Sequence, residues 1–162
     1  MSRNRPDPQD DSDRTIFGHV DRVGWAVILI PDGAEGPGFA FSLGLHETHG
    51  HPEVLLIGQK TDNMYGLVNH MGGRVRGGDR FDPGEPTEGV IERFPVWFVP
   101  VEQAHYRDYL GYANWYYGST DYPVFQCVWP DGAGRFPWDA GVSPGLRTRQ
   151  PVLGPAPARE PL

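Results

Sequence analysis

The stretch FAFSLGL at residues 39–45 alternates bulky and small side chains, which is the two-residue period of a β-strand. Its odd positions carry Phe or Leu and predict a large apolar face, whereas its even positions carry Ala, Ser and Gly. Residues 25–30 form an apolar run before it and end at the turn Pro31-Asp32-Gly33, so the two segments predict an antiparallel hairpin. The small-residue face allows a close approach to the backbone, most often by a helix and otherwise by a ligand.

Periodicity predicts the remaining elements. Apolar side chains recur at helical spacing in two segments, which predicts two helices. The first spans residues 61–71 and is followed by Gly72-Gly73 as a stop signal, and the second spans residues 102–117 and is followed by Gly118. Residues 74–86 are rich in glycine and charge and predict an exposed hairpin or loop. Short apolar runs predict three further strands, at residues 53–58, 94–99 and 124–129. This order favours an α+β fold, with an antiparallel β-sheet and two main helices packed on one face, in a single domain.

The chain of 162 residues is long enough for one hydrophobic core and too short for two ordinary domains. Residues 1–14 are polar, with two prolines and a run of Asp, and predict a disordered N-terminal arm. Residues 151–162 contain four prolines and predict an extended or disordered C-terminal tail. Between them, residues 15–150 form the predicted single α+β domain.

The composition disfavours several classes of protein. A net charge of −7 disfavours binding to nucleic acid, because such binding requires a basic surface. No apolar run approaches the roughly 20 residues of a membrane-spanning helix, and the N-terminal segment lacks the apolar stretch of a signal peptide. Cys127 is the single cysteine, so no internal disulfide can form. We therefore expect a cytoplasmic protein that contacts neither nucleic acid nor a membrane.

Several short motifs are more specific than packing alone requires. They are Gly24-Trp25 with His19 before it, FAFSLGL leading into His51-Pro52-Glu53, Gln126 with Trp129-Pro130-Asp131, Phe136-Pro137-Trp138, and Gln150-Pro151. In this order they resemble the family catalogued as domain of unknown function 4262, over about residues 16–150. The resemblance implies a bacterial protein, often from actinobacteria. No activity is established for the family as a whole, so the resemblance brings no catalytic residues.

The densest group of chemically active side chains is HETHGHPE at residues 46–53. Histidine is the commonest metal ligand and carboxylates complete mixed sites, so His46, His49 and His51 are candidate metal ligands. Their spacing does not match the pattern His-Glu-x-x-His. His51 and Glu53 are separated by one residue at the start of a strand, so they can share a face as a catalytic acid/base pair. The alternative is a polar loop in which His51 orients the turn into the strand.

The segment from Gln126 to Trp138 combines large aromatic and polar side chains, a mixture that can line a ligand pocket. Gln126, Trp129, Asp131 and Trp138, together with Ser42 on the small-residue face, are the candidate ligand-binding residues. Alternatively, the aromatic residues lock a loop against the sheet. The single cysteine of this segment is expected to behave as a small hydrophobe within a strand.

Six of the seven tyrosines lie within residues 106–122. Some of them form a predicted core face at helical spacing, with their hydroxyls reaching the surface. Tyr112, Trp115 and Tyr117 fall toward another side of the predicted helix, where they can contact a partner or a flat ligand.

Three functions are compatible with these features, and the first is favoured. It is a small-molecule-binding or accessory domain with an aromatic-lined pocket between the sheet and the late segment. The second is an enzyme, hydrolase-like or metal-dependent, that uses His51 and Glu53. The third is a protein-interaction module, such as a toxin-immunity factor, whose acidity suits a basic partner. The sequence identifies no cofactor, substrate or oligomeric state.

Overall fold

The structure is a computed structural model that describes residues 5–158, and its centre is one five-stranded sheet. The strands are β1 (Ala26–Ile30), β2 (Phe39–Leu43), β3 (Glu53–Ile57), β4 (Trp97–Pro100) and β5 (Val124–Val128). Their order across the sheet is β1-β2-β3-β5-β4. The hairpin predicted around FAFSLGL is present, with Ile28 of β1 opposite Phe41 of β2. The α+β class predicted from the sequence is therefore confirmed.

The sheet is mixed, which corrects the prediction of an antiparallel sheet. β3 pairs with β5 in parallel, with Glu53 opposite Val124, whereas the other three pairs are antiparallel. A parallel pair needs a long crossover connection, and here residues 58–123 supply it with a helix, the edge strand β4 and further helices. The side-chain pattern of a strand indicates which of its faces is buried, but it does not indicate which strands pair with it or in which direction.

Six α-helices lie within residues 5–158, rather than two main helices. They are α1 (Asp11–Val23), α2 (Leu45–His49), α3 (Thr61–Arg76), α4 (Tyr106–Tyr109), α5 (Gly111–Tyr117) and α6 (Pro144–Arg149), and a 3-10 turn spans Gln103–His105. The helix predicted over residues 102–117 is thus divided into shorter pieces around Leu110, a fully buried residue with a non-helical backbone.

The helices cover both faces of the sheet, which corrects the prediction that they pack on one face. On one side, α3 packs its buried methionines, including Met64, against Ala40 and Leu56 of the sheet. A helix rather than a ligand therefore packs against the small-residue face, which is the commoner of the two alternatives that the sequence left open. On the other side, the large side chains of β2 join a core with residues of α1, α4 and α5, such as Phe17, Tyr106 and Tyr116. All five residues of β3 are buried, so the sheet requires a cover on each face.

Helix α3 continues beyond the glycine pair at which the sequence predicted its end. A Cβ atom on Gly72 would come within 2.4 Å of the Trp25 ring, so this glycine permits a close contact between helix and ring. The indole N–H of Trp25 also donates to the Asn69 side-chain oxygen on the same helix, at 3.0 Å. The start of the segment predicted as a hairpin, residues 74–76, is therefore the last turn of α3.

Both ends of the described chain contact the domain. Asp10 caps α1 by accepting from the Asp13 backbone N–H at 2.9 Å, so residues 11–14 of the predicted disordered arm form the first turn of a helix. Residues 1–4 of that arm and 159–162 of the predicted tail lie outside the described residues. In the tail, Leu153 is buried, and its carbonyl accepts from the Glu102 N–H at 2.9 Å. The division into arm, domain and tail stays a prediction.

Candidate functional site

The buried carboxylate of Glu53 lies at the N-terminus of the short helix α2. Its two oxygens accept hydrogen bonds from the backbone N–H groups of Gly44, Leu45 and His46, at 3.0, 3.1 and 3.2 Å. These N–H groups have no partner inside the helix, and a negative charge at this end is favourable. Gly44 is required there because its φ is +111° and a Cβ would come within 2.8 Å of Val20. Glu53 therefore fixes the turn from β2 into α2.

Two hydroxyl groups complete the surroundings of this carboxylate. Ser42 donates to Glu53 Oε1 at 2.7 Å and accepts from the Val54 N–H at 2.9 Å. Tyr117 of α5 donates to Oε2. Burial raises the pKa of the Glu53 carboxyl, and the hydrogen bonds from Ser42 and Tyr117 act in the opposite direction. Ser42 and Glu53 are thus brought together, with five donors around one carboxylate.

His51 lies on the opposite side of the sheet and does not hydrogen-bond to Glu53. Its Nε2 accepts from the Phe81 backbone N–H at 3.1 Å, so Nδ1 carries the proton and donates to the Pro52 carbonyl at 2.8 Å. The imidazole is 1 % exposed and meets the Phe81 ring edge-on, at 5.4 Å between centroids. Burial lowers the pKa of this imidazole. The predicted acid/base pair of His51 and Glu53 is therefore not assembled as a hydrogen-bonded unit.

The other two histidines of this stretch, His46 and His49, lie on α2. The His46 ring meets Tyr117 edge-on at 5.7 Å between centroids. His46 Nδ1 and His49 Nε2 are buried, and neither has a hydrogen-bond partner within residues 5–158. In that same range, no group of three His, Cys, Asp or Glu side chains is placed to hold a metal ion. The structure does not gather His46, His49 and His51 into a set of metal ligands.

The tyrosines of α5 are anchored to carboxylates, a role that the sequence interpretation missed. Tyr112 donates to Asp13 at 2.6 Å, Tyr116 donates to Glu47 at 2.8 Å, and Tyr117 donates to Glu53. Burial and the hydrogen bond to Glu47 raise the pKa of Tyr116 to about 12. The three carboxylates lie on α1, α2 and β3, so α5 is tied to three other elements. Only the spacing of the tyrosines was visible in the sequence, and their distant partners were not.

In the late segment, two glutamines anchor the C-terminal tail. Gln126 donates to the Pro151 carbonyl and accepts from the Leu153 N–H, both at 2.8 Å. Gln150 accepts from the Trp129 N–H at 3.0 Å and donates to the Trp129 carbonyl at 2.8 Å. Both glutamine side chains are fully buried. Each glutamine side chain thus satisfies one backbone C=O group and one backbone N–H group, as a paired strand would.

Trp129 and Asp131 organise the loop that follows β5. The Trp129 indole N–H donates to the Ile57 carbonyl at 2.9 Å, which ties the end of β5 to β3. Asp131 accepts from the backbone N–H groups of Arg135 and Ser143, at 3.0 and 3.1 Å. These hydrogen bonds lower the pKa of Asp131. Two of the predicted ligand-binding residues therefore hydrogen-bond to the protein's own backbone.

A small cavity of about 270 Å³ lies between this loop and the tail. Trp138 lines it, with its ring stacked on Phe136 at 5.3 Å between centroids and 5° between planes. Arg147 stands at the same cavity, and its guanidinium donates to the carbonyls of Pro137 and Asp139 at 2.8 and 3.1 Å. The rest of the lining comes from Pro137, Gln150, Pro151, Val152, Gly154 and Ala156. Among the predicted ligand-binding residues, Trp138 alone lines this cavity.

The charge of Arg147 is not matched by a carboxylate in the described chain. None of the ion pairs within residues 5–158 includes Arg147, and its two hydrogen-bond acceptors are neutral carbonyls. Residues 134–150 contain three arginines and one aspartate, in a chain whose net charge is −7. The cavity therefore lies in a locally basic segment of an acidic protein.

The chain was compared with models of protein families, with curated proteins and with solved structures. Residues 19–143 match the model of a family described as Domain of unknown function (DUF4262). No curated protein and no solved structure matches the chain. No helix within residues 5–158 has the length and apolar character needed to cross a membrane.

Proposed function

For this chain, which belongs to the family of domains of unknown function 4262, we propose the function of a small-molecule-binding or accessory domain. The observation that carries this proposal is the cavity bordered by Trp138 and Arg147, between the loop after β5 and the tail. It combines an aromatic wall, apolar side chains and one charged group, which is the usual composition of a ligand site.

The lining indicates which class of ligand would fit. A volume of about 270 Å³ is slightly below the usual range of about 300–1,000 Å³ for small-molecule pockets, so it suits a compound with one ring. The aromatic ring of Trp138 in the lining favours a planar or apolar body. Arg147 favours a carboxylate, because a guanidinium and a carboxylate form paired, charge-assisted hydrogen bonds. We therefore propose a small carboxylic acid with an aromatic or apolar body.

The walls of the cavity support a preformed site. Gln150 lines it while both polar atoms of its side chain bind the Trp129 backbone. Phe136 is buried and supports the Trp138 ring from behind. A site whose walls are already ordered costs little conformational entropy when a ligand binds.

The enzyme hypothesis has less support in the geometry. Both ring nitrogens of His51 are engaged by backbone groups, and the Glu53 carboxylate is surrounded by five donors. Neither side chain lines the cavity beside Trp138. A bacterial source, which the resemblance to this family implies, and a cytoplasmic location remain part of the proposal.

The proposal is tested with benzoate, phenylacetate and indole-3-acetate as probes, beside the neutral amides of the same acids. Saturation-transfer NMR on the full chain should show binding of at least one acid and weaker binding of its amide. Trp138→Ala and Arg147→Gln should each reduce that binding about tenfold, the loss of one good contact. The matched control is Arg76→Gln, an exposed arginine at the end of α3, which should bind like the wild type.

Two results would contradict the proposal. One is the absence of saturation transfer to all three acids at millimolar concentration. The other is unchanged binding in Trp138→Ala while circular dichroism shows a folded protein. If acid and amide bind equally well and Trp138→Ala still abolishes binding, the cavity is the site and the carboxylate preference is wrong.

A further inference from the structure

The outer strand β1 lacks the features that normally protect the edge of a sheet. Its sequence, AVILI, contains no charge and no proline, and it pairs with β2 without a bulge over residues 26–30. Within residues 5–158, no strand and no further backbone hydrogen bond covers its other side. The opposite outer strand, β4, has four residues, ends in Pro100 and follows a bridge between Thr87 and Val96. An unprotected edge can accept an additional strand.

A groove of about 610 Å³ opens where β1 ends. Ile30, the last residue of β1, lines it and is 42 % exposed, one of two large hydrophobic side chains in the described chain with such exposure. The rings of Phe39 and Tyr109 form its aromatic part, edge-on at 5.0 Å between centroids. The groove is continuous with the strand, because Ile30 pairs with Phe39 in the sheet.

The charge of this groove is acidic. Glu35 and Asp108 line it, and no Lys or Arg does. Neither carboxylate takes part in an ion pair within residues 5–158. A groove lined by aromatic rings and two carboxylates is suited to a Lys or Arg side chain, which can gain both an ion pair and a cation–π contact.

We propose that β1 and this groove form a docking surface for an extended, basic segment of a protein partner. The segment adds to the sheet beside β1, its backbone pairs with the open edge, and a Lys or Arg enters the groove between Glu35 and Asp108. An apolar residue of the same segment covers Ile30. Main-chain hydrogen bonds supply affinity in this mode of recognition, and the groove supplies specificity.

A partner protein fits this surface better than a second copy of the chain. β1 carries no basic side chain that a copy could place in the groove. Two chains of net charge −7 also repel each other, whereas a basic segment is attracted. This inference does not depend on the small-molecule site, which lies at the cavity lined by Trp138.

The test uses a fluorescent peptide of alternating lysine and valine as the probe, with the full chain and fluorescence anisotropy. The wild type should bind this peptide, bind it more weakly at higher salt, and not bind a peptide of alternating glutamate and valine. Ile30→Lys places a like charge in the groove and should weaken binding by about tenfold. The control Tyr65→Lys alters the other exposed hydrophobic residue, on α3, and should leave the affinity unchanged.

A double variant separates the two parts of the surface. Glu35→Gln with Asp108→Asn should weaken binding and flatten its salt dependence, without altering the backbone edge. The proposal is overturned if Ile30→Lys binds the lysine–valine peptide as tightly as the wild type does. It is overturned equally if the wild type binds the glutamate–valine peptide as tightly as the lysine–valine peptide. It is also overturned if light scattering shows a dimer of the wild type that Ile30→Lys dissolves, since the occupant is then a second copy.

Discussion

Replacing Glu53 by Gln keeps the shape of the side chain and turns one carboxylate oxygen into an NH2 group. Oε1 accepts from Ser42 and Leu45, and Oε2 accepts from Gly44, His46 and Tyr117. Whichever position the NH2 takes, it faces at least two donors and leaves them without an acceptor. Hydrogen bonds to charged groups contribute about 1.5–3 kcal/mol each, so Glu53→Gln should lower the free energy of unfolding by about 3–5 kcal/mol.

The measurement is urea unfolding at pH 7, followed by tryptophan fluorescence and extrapolated to zero denaturant. Glu47→Gln is the matched control, because Glu47 also accepts from a tyrosine but is solvent-exposed. Its cost should be within about 1 kcal/mol. Tyr117→Phe removes one of the five donors around Glu53 and should cost about 1–2 kcal/mol.

The outcome also decides the charge of Glu53 in the folded protein. A protonated carboxyl group presents a donor at one of its two positions and an acceptor at the other, as the side-chain amide of Gln does, so Gln would replace it at little cost. Burial raises the pKa of Glu53, and the five donors oppose that change. A cost for Glu53→Gln no larger than that for Glu47→Gln would refute the reasoning, because it would mean that the folded state carries the neutral acid.

Three further predictions concern other parts of the chain. Burial lowers the pKa of His51 in the folded state, so stability is full above the unfolded value of about 6.5 and falls as the pH drops below it. His51→Gln should flatten this fall between pH 7 and 5 in urea melts, whereas the exposed His70→Gln should not. Deleting residues 151–162 should lower the melting temperature because Leu153 is buried, and an unchanged melting temperature would contradict this. Burial raises the pKa of Cys127 to about 12, so Ellman's reagent should label it only after denaturation.

Local patterns in the sequence were sufficient for the class of fold and, to within about three residues at each end, for the position of each strand. They were insufficient where contacts between distant residues decide the structure. Helix α3 passes Gly72 because the Trp25 ring packs there, and the sequence shows the glycine without its neighbour. The parallel pairing of β3 with β5 is another such case, because alternation in a strand defines its buried face and not its partner.

The candidate site was predicted in part for the same reason. Four residues were selected from the sequence by type and by motif. They are Ser42 on the small-residue face, Glu53 in the stretch 46–53, and Gln126 and Trp129 in the aromatic and polar segment after residue 125. The structure shows them bonded to backbone groups and to one another. Their partners lie 7 to 72 residues away in the sequence and are brought close only by the fold, so residue type alone did not separate an anchoring role from a binding role.

The motif residues therefore divide by where their polar atoms are engaged. A side chain whose donors and acceptors are all used inside the protein cannot bind a ligand without losing those bonds, so substituting it changes stability first. Glu53, Gln126 and Gln150 belong to this group. Trp138 is distinguished by its ring, which is only partly buried and lines the cavity. Substitution of Trp138 should thus affect binding more than stability, which makes it the motif residue that best separates the ligand site from the scaffold that supports it.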